Sequence, residues 1–161
     1  MQVYLLRHGA AESVPPGGSD DERKLTAEGR DEVRRAVEGA RRIRMAPTLI
    51  LSSPLVRAGE TAEIAATVLG YTGNIVRTEA LVPSASPQEV WDEIRSRQTE
   101  MQILLAGHEP LLSQLASYLL DSPALQVEMR KAAIVRIDLD RFASHPHGIL
   151  KWMAPPEIWS R

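Results

Sequence analysis

The sequence predicts an α/β protein, a three-layer α/β/α sandwich around a mostly parallel central sheet. Three observations carry this. Short β-branched and aliphatic runs alternate with amphipathic segments of helical period. Cap residues and prolines stand where those segments begin. The last two strand-like runs have no helix between them, which predicts an antiparallel hairpin at the carboxyl end of the sheet.

The elements follow in order. Val3 to Leu6 is the first strand, ending at Arg7-His8-Gly9. Ala10 to Lys24 reads as a loop, with Pro15-Pro16-Gly17-Gly18 and an acidic Asp20-Asp21-Glu22 stretch. A loop of this length without regular structure is usually functional or mobile. Thr26 is the expected N-cap of a helix through Val33, Val37 and Ala40 to about Ile43. Arg34, Arg35, Arg41 and Arg42 form its solvated face.

Leu49-Ile50-Leu51 is the second strand, ending at Ser52-Ser53-Pro54. Ser53 as N-cap and Pro54 at the first helical position predict the next helix. Its stripe is Leu55, Ala58, Ala62, Ala65 and Leu69, and Gly70 closes it. Asn74 to Thr78 is a short third strand and Ala80 to Ser86 a loop. Ser86-Pro87 starts a helix through Val90, Trp91 and Ile94. Ile103 to Ala106 is the fourth strand, ending at Gly107-His108-Glu109-Pro110, and Pro110 opens a helix through Leu111, Leu115 and Leu119. Ala132 to Asp138 and Ile149 to Met153 are the hairpin strands, joined by the Arg141 to Gly148 loop.

Composition narrows the function classes. The 161 residues suit one domain, 1–161, with a proper core. With 43% hydrophobic and 25% charged residues the chain reads as a soluble globular protein. A formal net charge of -2 gives no electrostatic warrant for a nucleic-acid or membrane partner. The absence of cysteine removes disulfides, thiolate metal sites and every cysteine nucleophile. The amino terminus lacks the basic and long apolar regions of a signal peptide, and no stretch has the length of a membrane span. The expected location is the cytoplasm.

The chemistry gathers at the strand ends. In open α/β sheets ligands bind beyond the carboxyl ends of the strands. The first strand ends in Arg7-His8-Gly9. The second ends in Ser52-Ser53-Pro54, with Arg57 just inside the following helix. The fourth ends in Gly107-His108. On a parallel sheet two guanidiniums and two imidazoles then converge at helix N-termini, which also favour anions. Planar N–H forks match the oxygens of a phosphoryl group. His8 is the expected nucleophile toward phosphorus, with Arg7, Arg57 and His108 stabilising the spread charge of the transition state. No cofactor is expected and no metal, because the arginines neutralise the phosphate.

These segments resemble a known family. Val3-Tyr4-Leu5-Leu6-Arg7-His8-Gly9, Leu25-Thr26-Ala27-Glu28-Gly29-Arg30, Ser52-Ser53-Pro54-Leu55-Val56-Arg57-Ala58-Gly59-Glu60-Thr61-Ala62 and Ala106-Gly107-His108 are similar, in order, to the histidine phosphatase superfamily. That group includes the phosphoglycerate mutases. The short length is most similar to its SixA-type phosphohistidine phosphatases. The resemblance implies a phosphoglycerate mutase-like fold, His8 as the phosphorylated residue, and Arg7, Arg57 and His108 as the phosphate pocket. Larger relatives place an acidic proton donor after the third strand, which here implies Glu79. Glu109 is a second candidate, although the residue before Pro110 also suits a helix start.

The segment from Asn74 to Pro87 is too short for a lid over a small metabolite. An open pocket suits a phosphoryl group presented on a protein, with phosphohistidine as the expected target. A phosphorylated metabolite is the alternative substrate, and a phosphate-binding module without turnover is the alternative class. An imidazole leaving group titrates near about 6.5 and leaves readily, whereas an alkoxide needs a donor. His145-Pro146-His147 reads as a solvated turn, Asp20-Asp21-Glu22 as a solvated loop, and Trp91, Trp152 and Trp159 as core or rim aromatics. Ser13 and Ser52 could each add a hydrogen bond to phosphate.

Overall fold

A computed structural model describes residues 1–159. Its strands are β1 (Gln2–Arg7), β2 (Leu49–Ser52), β3 (Ile75–Arg77), β4 (Gln102–Gly107), β5 (Ile134–Asp138) and β6 (Ile149–Ala154). Its helices are α1 (Ala27–Arg42), α2 (Val56–Leu69), α3 (Pro87–Arg95) and α4 (Leu111–Leu119). They build the expected phosphoglycerate mutase-like α/β fold on one six-stranded sheet, in the order β3-β2-β4-β1-β5-β6. The β3/β2, β2/β4 and β4/β1 pairs are parallel, and β1/β5 and β5/β6 are antiparallel.

Side-chain alternation sorts the core into two layers, because successive strand residues face opposite sides of a sheet. Val3, Leu5, Ile103, Leu105, Val135 and Ile137 pack on one face with Val90, Trp91 and Ile94 of α3 and Leu111, Leu112 and Leu115 of α4. Tyr4, Leu6, Ile50, Leu104, Ala106 and Ile134 pack on the other with Val33, Val37 and Ala40 of α1 and Ala62 and Ala65 of α2. Both faces are covered, so the central strands read as unbroken apolar runs.

The caps explain most helix boundaries. Thr26 accepts the Gly29 N–H at 2.9 Å at the start of α1. Ser86 and Glu89 form a capping box at α3 with Pro87 in the first turn. Gly70 closes α2 at φ 66°.

Five details differ from expectation. The ladder runs on to Ser53, whose N–H donates to Ala106 O at 3.0 Å, so Ser53 and Pro54 belong to a turn and α2 is capped at Leu55. Ala132 adopts φ 60° and donates to Arg7 O and His8 O, so β5 begins only at Ile134. The Ala10 to Lys24 stretch is not structureless: Ala11 bridges to Leu25, and Asp20–Glu22 is a 3-10 turn. Pro110 caps α4 from outside, and Glu79–Leu81 is a further 3-10 turn. No helix among the described residues is long and apolar enough to cross a membrane.

One contact ties α1 to the end of β1. A Cβ built on Gly29 would lie 2.1 Å from Ala10 O, and one on Gly9 would lie 2.6 Å from Gly29 O. The two backbones therefore touch directly where the chain leaves β1. Gly29→Ala is expected to lower unfolding free energy by about 3 kcal/mol, because backbone rather than a flexible side chain must give way. Thermal or urea unfolding checks this, and a variant as stable as the parent contradicts it.

Candidate active site

The sheet register brings the three predicted strand ends together. Arg7 pairs with Gly107 in β1/β4, and Ser52 pairs with Ala106 in β2/β4. The ladder then continues past both strands, with His8 N donating to Gly107 O at 3.0 Å. His8, His108 and Arg57 are consequently buried, at 6%, 1% and 5% exposure, and Arg7 is half-buried. The imidazole centroids of His8 and His108 lie 5.2 Å apart.

Each group is held in a definite orientation. His8 Nδ1 lies 2.7 Å from Gly9 O. A carbonyl only accepts, so Nδ1 carries the hydrogen and Nε2 keeps the lone pair. His108 Nε2 lies 2.8 Å from Ser53 Oγ, which also accepts the Leu55 N–H at 3.2 Å. Arg7 donates from Nη1 to Met129 O at 2.8 Å. Arg57 donates from Nη1 to Asp20 O at 2.9 Å and from Nη2 to Asp20 Oδ2 at 3.0 Å. Thr61 joins two motifs, donating to Arg57 O at 2.8 Å and accepting from Gly9 N at 3.3 Å.

These bonds tie down one end of each basic group and leave another end bare. Among the described residues, five buried side-chain nitrogens have no hydrogen-bond partner, and three of them are Arg7 Nε, Arg57 Nε and His108 Nδ1. An unsatisfied buried donor costs about 1–3 kcal/mol and demands an explanation. These three nitrogens, two of them guanidinium donors and the third a donor when Ser53 Oγ donates to His108 Nε2, are what an oxyanion would satisfy.

The electrostatics keep the imidazoles neutral. Burial pushes His8 down to about 4, and the nearby Arg57, Arg7 and Lys131 charges act the same way. Burial pushes His108 down to about 3, helped by His8 and Arg57. A neutral His8 is a competent nucleophile at physiological pH. Asp20 is held below the usual carboxylate range by its hydrogen bond from Arg23 and by Arg57.

The acids stand further out. Glu79 is exposed and begins the 3-10 turn after β3, the edge strand, with β2 and β4 between it and β1. At about 4.8 Å per strand that is roughly 14 Å of backbone separation. Among the described residues, no hydrogen bond or ion pair of its carboxylate joins it to the basic groups. Glu109 shares with Arg7 a cleft of about 960 Å³, and Glu109 Oε1 accepts from Ser113 N at 2.8 Å at the start of α4. His145 and His147 both contact the Asp121 carboxylate, at 2.7 and 3.1 Å. Ser13 is exposed, and Ser52 bonds to Ser53 O.

Sequence reasoning missed Ser53, Asp20 and the carbonyl of Met129. Ser53 carried a helix-cap signal that hid its contact with His108. Asp20 read as a solvated acid, yet the loop folds back and sets its carboxylate on the buried Arg57. Nothing in sequence marks a carbonyl 122 positions from Arg7.

Comparisons with known proteins bear on the family and the fold. The family model of the histidine phosphatase superfamily (branch 1) matches residues 3–82. A protein of Picosynechococcus sp. is 28% identical over 96% of this chain and all of its own length. Phosphohistidine phosphatase SixA of Escherichia coli is 26% identical, covering 97% of this chain and 94% of that one. The structure of the protein histidine phosphatase SixA complexed with tungstate superposes with a TM-score of 0.87 at 26% identity, over 98% of this chain and 99% of that one.

Proposed function

This chain belongs to the histidine phosphatase superfamily, and from that premise we propose a metal-independent phosphatase that works through a phosphohistidine at His8 and acts on phosphohistidine carried by proteins. The observation that carries the reading is the trio of bare nitrogens, Arg7 Nε, Arg57 Nε and His108 Nδ1, beside a lone pair on His8 Nε2. The SixA structure with tungstate, an oxyanion, lends support from the relative of matching length.

The chemistry proceeds in two displacements. His8 Nε2 attacks phosphorus while the bond from phosphorus to the leaving group breaks. Arg7, Arg57 and His108 hold the three equatorial oxygens, where charge gathers in the loose transition state. A phosphorylated imidazole departs as neutral imidazole if its other nitrogen is already protonated. Water then attacks the phosphohistidine, its proton leaves to solvent, and inorganic phosphate and neutral His8 result.

An alkoxide leaving group needs a proton in the first displacement. Glu79 is the proposed donor, on an exposed turn. Glu79→Gln is expected to leave phosphohistidine hydrolysis within about twofold and to lower hydrolysis of an alkyl phosphate by about 10²-fold. The cleft of about 960 Å³ beside Arg7 keeps a small phosphorylated metabolite as the second reading. Hydrolysis assays in chelator separate the two. Faster turnover of a phosphohistidine-bearing protein than of any alkyl phosphate supports the first. Activity that vanishes in chelator and returns with a divalent cation overturns metal independence.

A further inference from the structure

We propose that Lys131 is a third cation of the phosphate site, beside Arg7 and Arg57, one that engages the phosphoryl group from the cleft that Arg7 lines. The inference rests on the phosphate-cage reading above and adds to it a residue that no strand-end motif contains.

The turn that carries Lys131 is laced to the residues bearing the nucleophile. Met129 O accepts from Arg7 Nη1 at 2.8 Å. Ala132 N donates to Arg7 O at 3.1 Å and to His8 O at 3.2 Å, and Arg7 N donates to Ala133 O at 3.2 Å. Anchors on both sides thus fix the backbone of Lys131 relative to His8. Ala133 N donates to Arg130 O at 2.9 Å, which closes a four-residue turn with Lys131 second and Ala132 third. Ala132 takes φ 60°, a value at which that third position normally holds glycine. A side chain that tolerates this conformation at a cost marks a turn whose shape is fixed by its surroundings.

The side chain is available. Lys131 is exposed and lines the cleft that also holds Arg7. Its neighbour Arg130 is taken by Glu157 at 3.1 Å, whereas among the described residues Lys131 makes no ion pair. Its field reaches both His8 and Glu32. His8, Arg57 and His108 are buried, and Arg7, half-buried, is the one of the four that lines this cleft. A cation on a flexible stem in the cleft complements these fixed groups. Glu28, Glu32, Glu109 and Glu128 line the same cleft.

Inorganic phosphate is the probe, titrated calorimetrically into the wild type, Lys131→Met and Lys131→Arg. The Met variant is expected to bind phosphate about fivefold more weakly, the size of one exposed ion pair, and the Arg variant to stay within about twofold. The loss should shrink as salt rises. In kinetics the Met variant should raise KM with kcat nearly unchanged. A structural role alone would lower thermal stability and leave Arg no better than Met. Equal phosphate affinity in wild type and Met variant overturns the role of Lys131 and leaves the cage intact. A wild type that binds no phosphate overturns both.

Discussion

Replacing His8 by Ala is expected to lower kcat by about 10⁴-fold or more while the protein stays folded and still binds phosphate. The size follows from the role. A covalent nucleophile has no substitute among its neighbours, and removing one elsewhere costs as much as removing the rest of the machinery. His108 cannot take over, because its Nε2 is committed to Ser53 Oγ. Phosphate binding survives because Arg7 and Arg57 take their orientation from Met129 and Asp20, not from His8. Rapid acid-free quenching during turnover should trap a base-stable, acid-labile phosphoenzyme in the parent and none in His8→Ala. Full activity in the variant would sink the mechanism. Absence of any covalent species in the parent under turnover would favour a module that binds phosphate without cleaving it.

The second large effect is on stability against acid. His8 titrates at about 4 in the folded protein and near about 6.5 in an unfolded chain. Between those values the unfolded chain takes up a proton that the folded protein refuses. Stability therefore falls as pH drops from about 6.5 to 4, and it is fully retained above that window. The shift is worth about 3 kcal/mol for His8 alone, with His108 adding a loss of the same sign. His8→Asn should accordingly flatten the acid limb of unfolding free energy against pH, measured by urea titration from pH 8 to 4. Parallel curves for parent and variant would show that the buried imidazole is not the cause. Inorganic phosphate should stabilise the parent, because it binds the folded cage and not the unfolded chain.

Much of this was legible in the chain. The four basic residues stood at predicted strand ends, and the α/β order followed from period and caps. What stayed hidden depends on long-range contact. Ser53 satisfied a local rule for helix starts, but the sheet claimed it through Ala106 O, and only then did its hydroxyl meet His108. Asp20 lies 37 positions from Arg57, and no periodicity links them. Ala132 at positive φ is a departure that alanine does not announce. Local signals set elements, whereas the orientation of each side chain in the site comes from tertiary partners.

The central place of β1, flanked by β4 and β5, sets the order in which this protein can become active. The carbonyl that steers Arg7 and the amide that closes on His8, the proposed nucleophile, come more than 120 residues after them, at positions 129 and 132. At about 5–20 residues per second of synthesis the amino-terminal strand waits on the order of ten seconds for its far partner. Such distant pairing is slow to close and leaves the apolar edge of β1 uncovered meanwhile. On the proposed mechanism, chemistry therefore waits for the segment at positions 129–133, so a nascent chain that lacks it carries His8 without the means to use it.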